Sequence, residues 1–194
     1  MKLVQNRELD ELLCRVRRAE SMNVAFSELV AKYAPMMRSK VLAMFGDTSD
    51  YNEAMQEAIL ALHDAARTYD SAKCDGVTFG LYASVCVANR LRSLLRKKSR
   101  DNLHSERFRT DDDIVGGDFE SAVANRDLCE RVLMSARGVL SDLEYEVFAL
   151  EVEGLTTREI AERLSRAPKS VDNAKARIAK RLKSHDDIRR ILSI

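Results

Sequence analysis

Between residues 166 and 183 the chain carries seven basic side chains and one acidic one, Asp172. Ser170 and Asn173 stand among them. This set makes and breaks no bonds. It suits contact with nucleic acid, because Arg and Lys meet phosphates or guanine edges and Asn can pair with adenine. A second cationic stretch holds six basic residues from 90 to 100, with no acid before Asp101. Phe79 and Tyr82 precede it. Aromatic rings beside cations suit a single strand, whose bases stack while its phosphates are held. No comparable set points to catalysis. The chain shows no nucleophile–base pair, no metal-ligand spacing and no phosphate-binding glycine loop. It reads as a non-enzyme with no metal site and no cofactor.

Helices must carry these groups. Leu, Ala, Arg and Glu are frequent, while Gly (7) and Pro (2) are rare, a balance that favours helix over sheet. In the stretch from 153 to 184, Ile160, Ala161 and Leu164 face inward on one predicted helix, and Val171, Ile178 and Leu182 on the next. The three-residue turn "SRA" joins them, and Ala161 permits a close crossing. Thr156 with Glu159, and Ser141 with Glu144, form capping boxes. The predicted outward face is Lys169, Ser170, Asp172, Asn173, Ala176, Arg177 and Lys180, with Arg166 in the turn. A helical hairpin with a solvated charged face would show the same spacing.

Upstream, "TFGLYASVCVANRLRSLLRKKSR" predicts a helix with two faces. Leu81, Val85, Ala88, Leu91 and Leu95 form one. Tyr82, Cys86, Asn89, Arg90, Ser93, Arg96 and Lys97 form the other. Cations near a helix C-terminus also complement its dipole, and Phe79 suits a core position at least as well as base contact. "YNEAMQEAILALHDAARTYD" predicts a helix capped by Asp50 with Glu53, burying Ala54, Ala58, Leu62 and Ala65. The preceding long helix contains Pro35, which predicts a kink or short break.

The net charge of +1 hides an asymmetry. Residues 1–100 carry 16 basic and 12 acidic groups, residues 101–130 carry 3 and 9, and residues 131–194 carry 13 and 10. The segment 101–121, with its Asp111–Asp113 run and glycine pair, reads as a flexible acidic linker. The expectation is therefore an all-α chain of two helical domains, 1–100 and 122–194, joined by residues 101–121. The four cysteines lack metal spacing and read as reduced thiols of a cytoplasmic protein. No signal peptide and no membrane span are expected.

The stretch "LSDLEYEVFALEVEGLTTREIAERLSRAPKSVDNAKARIAKRL" resembles region 4 of bacterial RNA polymerase sigma factors, with "KSVDNAKARI" similar to the sigma-H type. "DYNEAMQEAILALHDAARTYD" resembles the polymerase-binding helix of region 2, and the helix from Phe79 resembles its promoter-melting, minus-ten helix. The chain has no Trp, whereas primary sigma factors use a Trp pair, and it is short. It is thus similar to an alternative factor of the sigma-70 superfamily, of the sigma-H or extracytoplasmic-function type, with regions 2 and 4 only.

That resemblance implies core RNA polymerase and promoter DNA as partners. Asn52, Glu53, Gln56 and Glu57 would meet the beta-prime clamp helices, and the beta flap would be a further contact. Phe79, Tyr82, Asn89, Arg90, Arg92, Ser93, Arg96 and Lys97 would serve the minus-ten element and melting. Arg166, Lys169, Ser170, Asp172, Asn173, Arg177 and Lys180 would serve the minus-thirty-five element. The acidic linker would thread toward the polymerase cleft, and an anti-sigma factor is a candidate partner. The alternative is a two-domain helix-turn-helix regulator acting without polymerase.

Overall fold

The computed structural model describes residues 7–18, 22–73, 76–104 and 118–182. These form eight α-helices and, among the described residues, no strand: α1 (Arg7–Arg17), α2 (Met22–Phe45), α3 (Tyr51–Thr68), α4 (Phe79–His104), α5 (Asp118–Val139), α6 (Asp142–Val152), α7 (Thr157–Arg163) and α8 (Pro168–Leu182). Helices α1–α4 make an N-terminal bundle, and α6–α8 make a C-terminal trihelical unit that α5 leads into. The acidic run Asp111–Asp113 lies outside the described residues.

Small side chains set the N-terminal bundle. Ala54, Ala58, Ala61, Leu62, Ala65 and Ala66 are buried along α3, so that α4 can lie close against it. Two of the local expectations fail for tertiary reasons. Helix α2 runs through Pro35 without a break. Leu29 and Tyr33 before it, and Met37 and Val41 after it, are all fully buried, so packing on both sides keeps the helix continuous despite the lost backbone bond. Asp50 stands at the N-cap position of α3, but its side chain makes no capping bond. Its backbone is helical (φ −81°, ψ −9°), and its carboxylate accepts from Lys98 Nζ at 2.9 Å instead.

Helix α4 is the centre of the molecule. It packs against α2 and α3 on one side and against α5 and α6 on the other. Its first three turns are therefore buried nearly all round, from Phe79 to Ala88, where the sequence predicts only one buried face. Leu94 takes the buried position near its end, and Leu95, expected inside, is exposed. The buried residues of both units form one continuous cluster.

The C-terminal unit follows its sequence closely. Both capping boxes form. Glu144 Oε2 accepts from the Ser141 N–H at 3.0 Å, and Glu159 Oε2 from the Thr156 N–H at 2.7 Å. Gly154 ends the α6 region at φ +87°, a conformation open to glycine. Ile160 and Ala161 pack against Val171, Ala174, Ile178 and Leu182, all buried. Ser165 takes φ +51° in the tight α7–α8 turn.

Candidate nucleic-acid interface

Helix α8 begins at Pro168, whose missing N–H costs nothing in a first turn. Its buried stripe leaves Lys169, Ser170, Asp172, Asn173, Ala176, Arg177 and Lys180 exposed, with Arg166 exposed in the turn before it. This is the outward face that the spacing predicts. Its cations divide into two groups. Arg166, Lys169 and Lys180 make no ion pair among the described residues. Lys175, Arg177 and Arg181 instead bind α6: Lys175 Nζ lies 3.0 Å from Glu151 Oε1, Arg177 Nε 2.9 Å from Glu144 Oε1 and Arg181 Nη1 3.0 Å from Glu144 Oε2.

Glu144 is the residue that sequence reading missed here. It looks like half of a capping box, but it is only 2% exposed and also clasps two arginines of α8. The Ser141 backbone N–H, above all, holds its carboxyl below the ordinary carboxylate range. Burial opposes this, while the Ser141 hydroxyl and the two guanidinium groups reinforce it. The spacing of Arg177 and Arg181, four residues apart beside the inward stripe, was the available signal. Arg177 thus holds α8 in place first, and its guanidinium is half exposed beyond that contact.

The α4 surface is different. Phe79 and Tyr82, named for base stacking, are each 2% exposed. They join Tyr33 and Tyr69 in an aromatic cluster with ring centroids 5.5–5.6 Å apart, and the Tyr82 hydroxyl is bonded to Thr68 Oγ1 at 3.0 Å. A ring at that position fills core, so it cannot also present a face to a base. Asn89 is half-buried. Its Nδ2 donates to Asn125 Oδ1 of α5 at 2.7 Å, and its Oδ1 accepts from Arg92 Nη1 at 3.1 Å. Arg90 Nε donates to Glu57 Oε2 of α3 at 2.5 Å. Ser93, Arg96 and Lys97 remain exposed, with Arg96 Nη2 donating to Ser93 Oγ at 3.0 Å.

Those pairs also reach the expected polymerase surface. Asn52, Glu53 and Gln56 lie exposed on α3, and Glu57 is half-buried. Glu57 is tied to Arg90, and Glu53 lies 2.6 Å from Lys98 Nζ. Lys98, which the sequence reading did not single out, bridges Asp50 and Glu53, and their hydrogen bonds raise its pKa. Helices α3 and α4 thus share one charged edge, with acids on one helix and cations on the other. Among the described residues no three metal-ligating side chains converge, and no helix is long and apolar enough to cross a membrane.

Comparison with known proteins divides the chain at the same place. Residues 29–101, spanning most of α2 to α4, match the model described as Sigma-70 region 2. Residues 138–192 match the bacterial regulatory proteins of the luxR family, a helix-turn-helix class. The chain is 25% identical to the RNA polymerase sigma-H factor of Bacillus subtilis (strain 168), over 86% of this chain and 84% of that protein. It is 26% identical to the RNA polymerase sigma-H factor of Bacillus licheniformis, over 86% and 82%. The chain is thus similar to sigma-H factors over most of its length and carries a match to the Sigma-70 region 2 model in its N-terminal bundle. It is an alternative sigma factor that directs transcription initiation. The region 2 match favours this reading over a regulator acting without polymerase, because a helix-turn-helix alone would fit either.

Proposed function

We propose that this sigma factor joins core RNA polymerase through α3 and reads promoter DNA with two surfaces of unequal kind. The exposed groups Asn52, Glu53 and Gln56 dock on the beta-prime clamp helices, with Glu57 at the edge of the contact. Helix α8 enters the major groove at the minus-thirty-five element. Lys169, Ser170, Asp172 and Asn173 lie at its N-terminal end, where a recognition helix meets base edges, while Arg166 and Lys180 hold phosphates. Ser93, Arg96 and Lys97 meet the separated strand of the minus-ten element. The domain boundaries that go with this reading are 1–100, 101–121 and 122–194. The linker lies toward the active-site cleft, a second polymerase contact is the beta flap, and an anti-sigma factor is a candidate regulator. The factor works where polymerase works, in the cytoplasm.

Its action is recruitment by binding. Phosphate contacts supply affinity and base edges supply register. Capture of unstacked bases shifts the duplex toward its open form by differential affinity alone, with no ATP. The observation that carries this reading is the exposed, partly unpaired cationic face of α8, joined in one chain to a region 2 bundle. Reconstitution with sigma-free core polymerase tests it. Promoter-specific transcripts are expected, and Asn52→Ala with Gln56→Ala should abolish them without changing duplex binding by α8. Failure to form a stable complex with a cognate core enzyme would contradict it.

A further inference from the structure

Asp172 is the one acid among the seven cations of residues 166–183. It is exposed on the outward face of α8. The usual structural uses of such a residue do not apply to it. Helix α8 starts at Pro168 and has no acid in its first turn. Asp172 lies past that turn, where an acid no longer complements the helix dipole. Lys169 and Lys175 stand three residues to either side, at the spacing of an intrahelical pair. Lys175 is turned instead to Glu151 of α6 at 3.0 Å. Lys169 makes no ion pair among the described residues, and Asp172 has neither an ion pair nor a side-chain hydrogen bond among them.

The placement of Asp172 is fixed nonetheless. Val171 before it and Ala174 after it are buried, and Glu144 clasps Arg177 and Arg181. The rotation of α8 is thereby set, and the carboxylate stays on the face that carries Lys169 and Asn173. Near DNA it repels the phosphates, which lowers affinity for every duplex alike. Only a base edge that offers a proton donor offsets this, through a charge-assisted hydrogen bond.

A carboxylate accepts and cannot donate. In the major groove cytosine offers its N4 amino group alone. Guanine offers two acceptors, thymine an acceptor and a methyl, and adenine an acceptor beside its donor. An amide, with one group of each kind, suits adenine, and Asn173 is the next residue along. An acid suits cytosine.

We propose that Asp172 is a specificity filter: it accepts from the N4 amino group of a cytosine in the upstream element and rejects other bases at that position by unrelieved negative charge. The inference rests on the major-groove role proposed for α8, to which it adds a required base. Discrimination is a difference between affinities, so weaker binding to the wrong base serves as well as stronger binding to the right one.

The test uses reconstituted holoenzyme and a pool of promoter duplexes randomised across the upstream element. Bound duplexes are sequenced, and affinity for the unselected pool is measured beside them. The wild type should select cytosine about tenfold over other bases at one position, distinct from the one that Asn173 governs. Asp172→Asn keeps the shape and supplies a donor, so the preference there should change to adenine. Asp172→Ala should erase it and bring no new one. Both variants should bind the unselected pool more tightly, because a charge that repels phosphate has gone. Their melting temperatures should match the wild type, since the side chain is exposed and unpaired. A wild-type motif that both variants retain would overturn the filter and leave the upstream role of α8 standing. No upstream motif from the wild type would overturn both.

Discussion

Helices α4 and α8 both bear a dense row of cations, yet they use it in opposite ways. On α8 one stripe of four small or aliphatic residues packs inward, and the whole outward face stays exposed. On α4 four neighbouring helices surround the early turns, and most polar groups expected to meet DNA are spent within the protein. A charged face is available for recognition only where the fold leaves it unopposed. The difference follows from position: α8 lies at the edge of a small three-helix unit, whereas α4 is the shared wall between two units.

The aromatic rings give the widest contrast. Phe79→Ala should empty a fully buried site and cost about 3–5 kcal/mol, read as a lower melting temperature. If Phe79 were a stacking platform instead, the same change would weaken single-strand binding and leave stability intact.

Next comes the anchor of α8. Glu144→Gln leaves two guanidinium groups without their carboxylate and should cost about 2 kcal/mol. Because the folded carboxyl titrates below its unfolded value of about 4.3, the wild-type contribution is full above that pH. It is lost as the pH falls through the folded pKa. Acid melting curves of the variant should lack this step.

A smaller effect belongs to the exposed face. Asn173→Ala should leave stability unchanged and cost about 1.4 kcal/mol, or tenfold, in discrimination at one base pair. Binding assays on duplexes varied at single positions would show it.

A further test, read as a slope with pH, lies under α4. Lys40 is 4% exposed, and burial, with the Arg92 charge adding to it, lowers its pKa to about 7. Between that value and an unfolded pKa of about 10.4 the unfolded chain binds the extra proton, so stability should rise with pH across this window. Lys40→Met should flatten that slope in melting experiments.

The sequence made local features legible and shared ones illegible. Helical spacing revealed the stripe of α3, the helix-turn-helix core and both capping boxes, because each depends on residues within a turn or two of one another. It marked the outward face of α8 for the same reason. It misplaced Phe79, Tyr82, Asn89 and Arg90, because their surroundings come from α2, α3 and α5. An aromatic followed by cations looks alike whether the ring faces water or another helix. Pro35 and Asp50 show the same limit: a breaker is overruled by packing on both sides, and a cap is diverted by a lysine 48 residues away.

The central claim is that α8 reads the upstream promoter element for polymerase. Its most direct test is transcription by reconstituted holoenzyme from templates randomised across that element, with wild-type protein and Asn173→Ala compared. The account predicts a defined upstream motif for the wild type and loss of preference at one position of it for the variant, with the start site unchanged. An identical motif from both proteins, or no upstream preference from either, would contradict it.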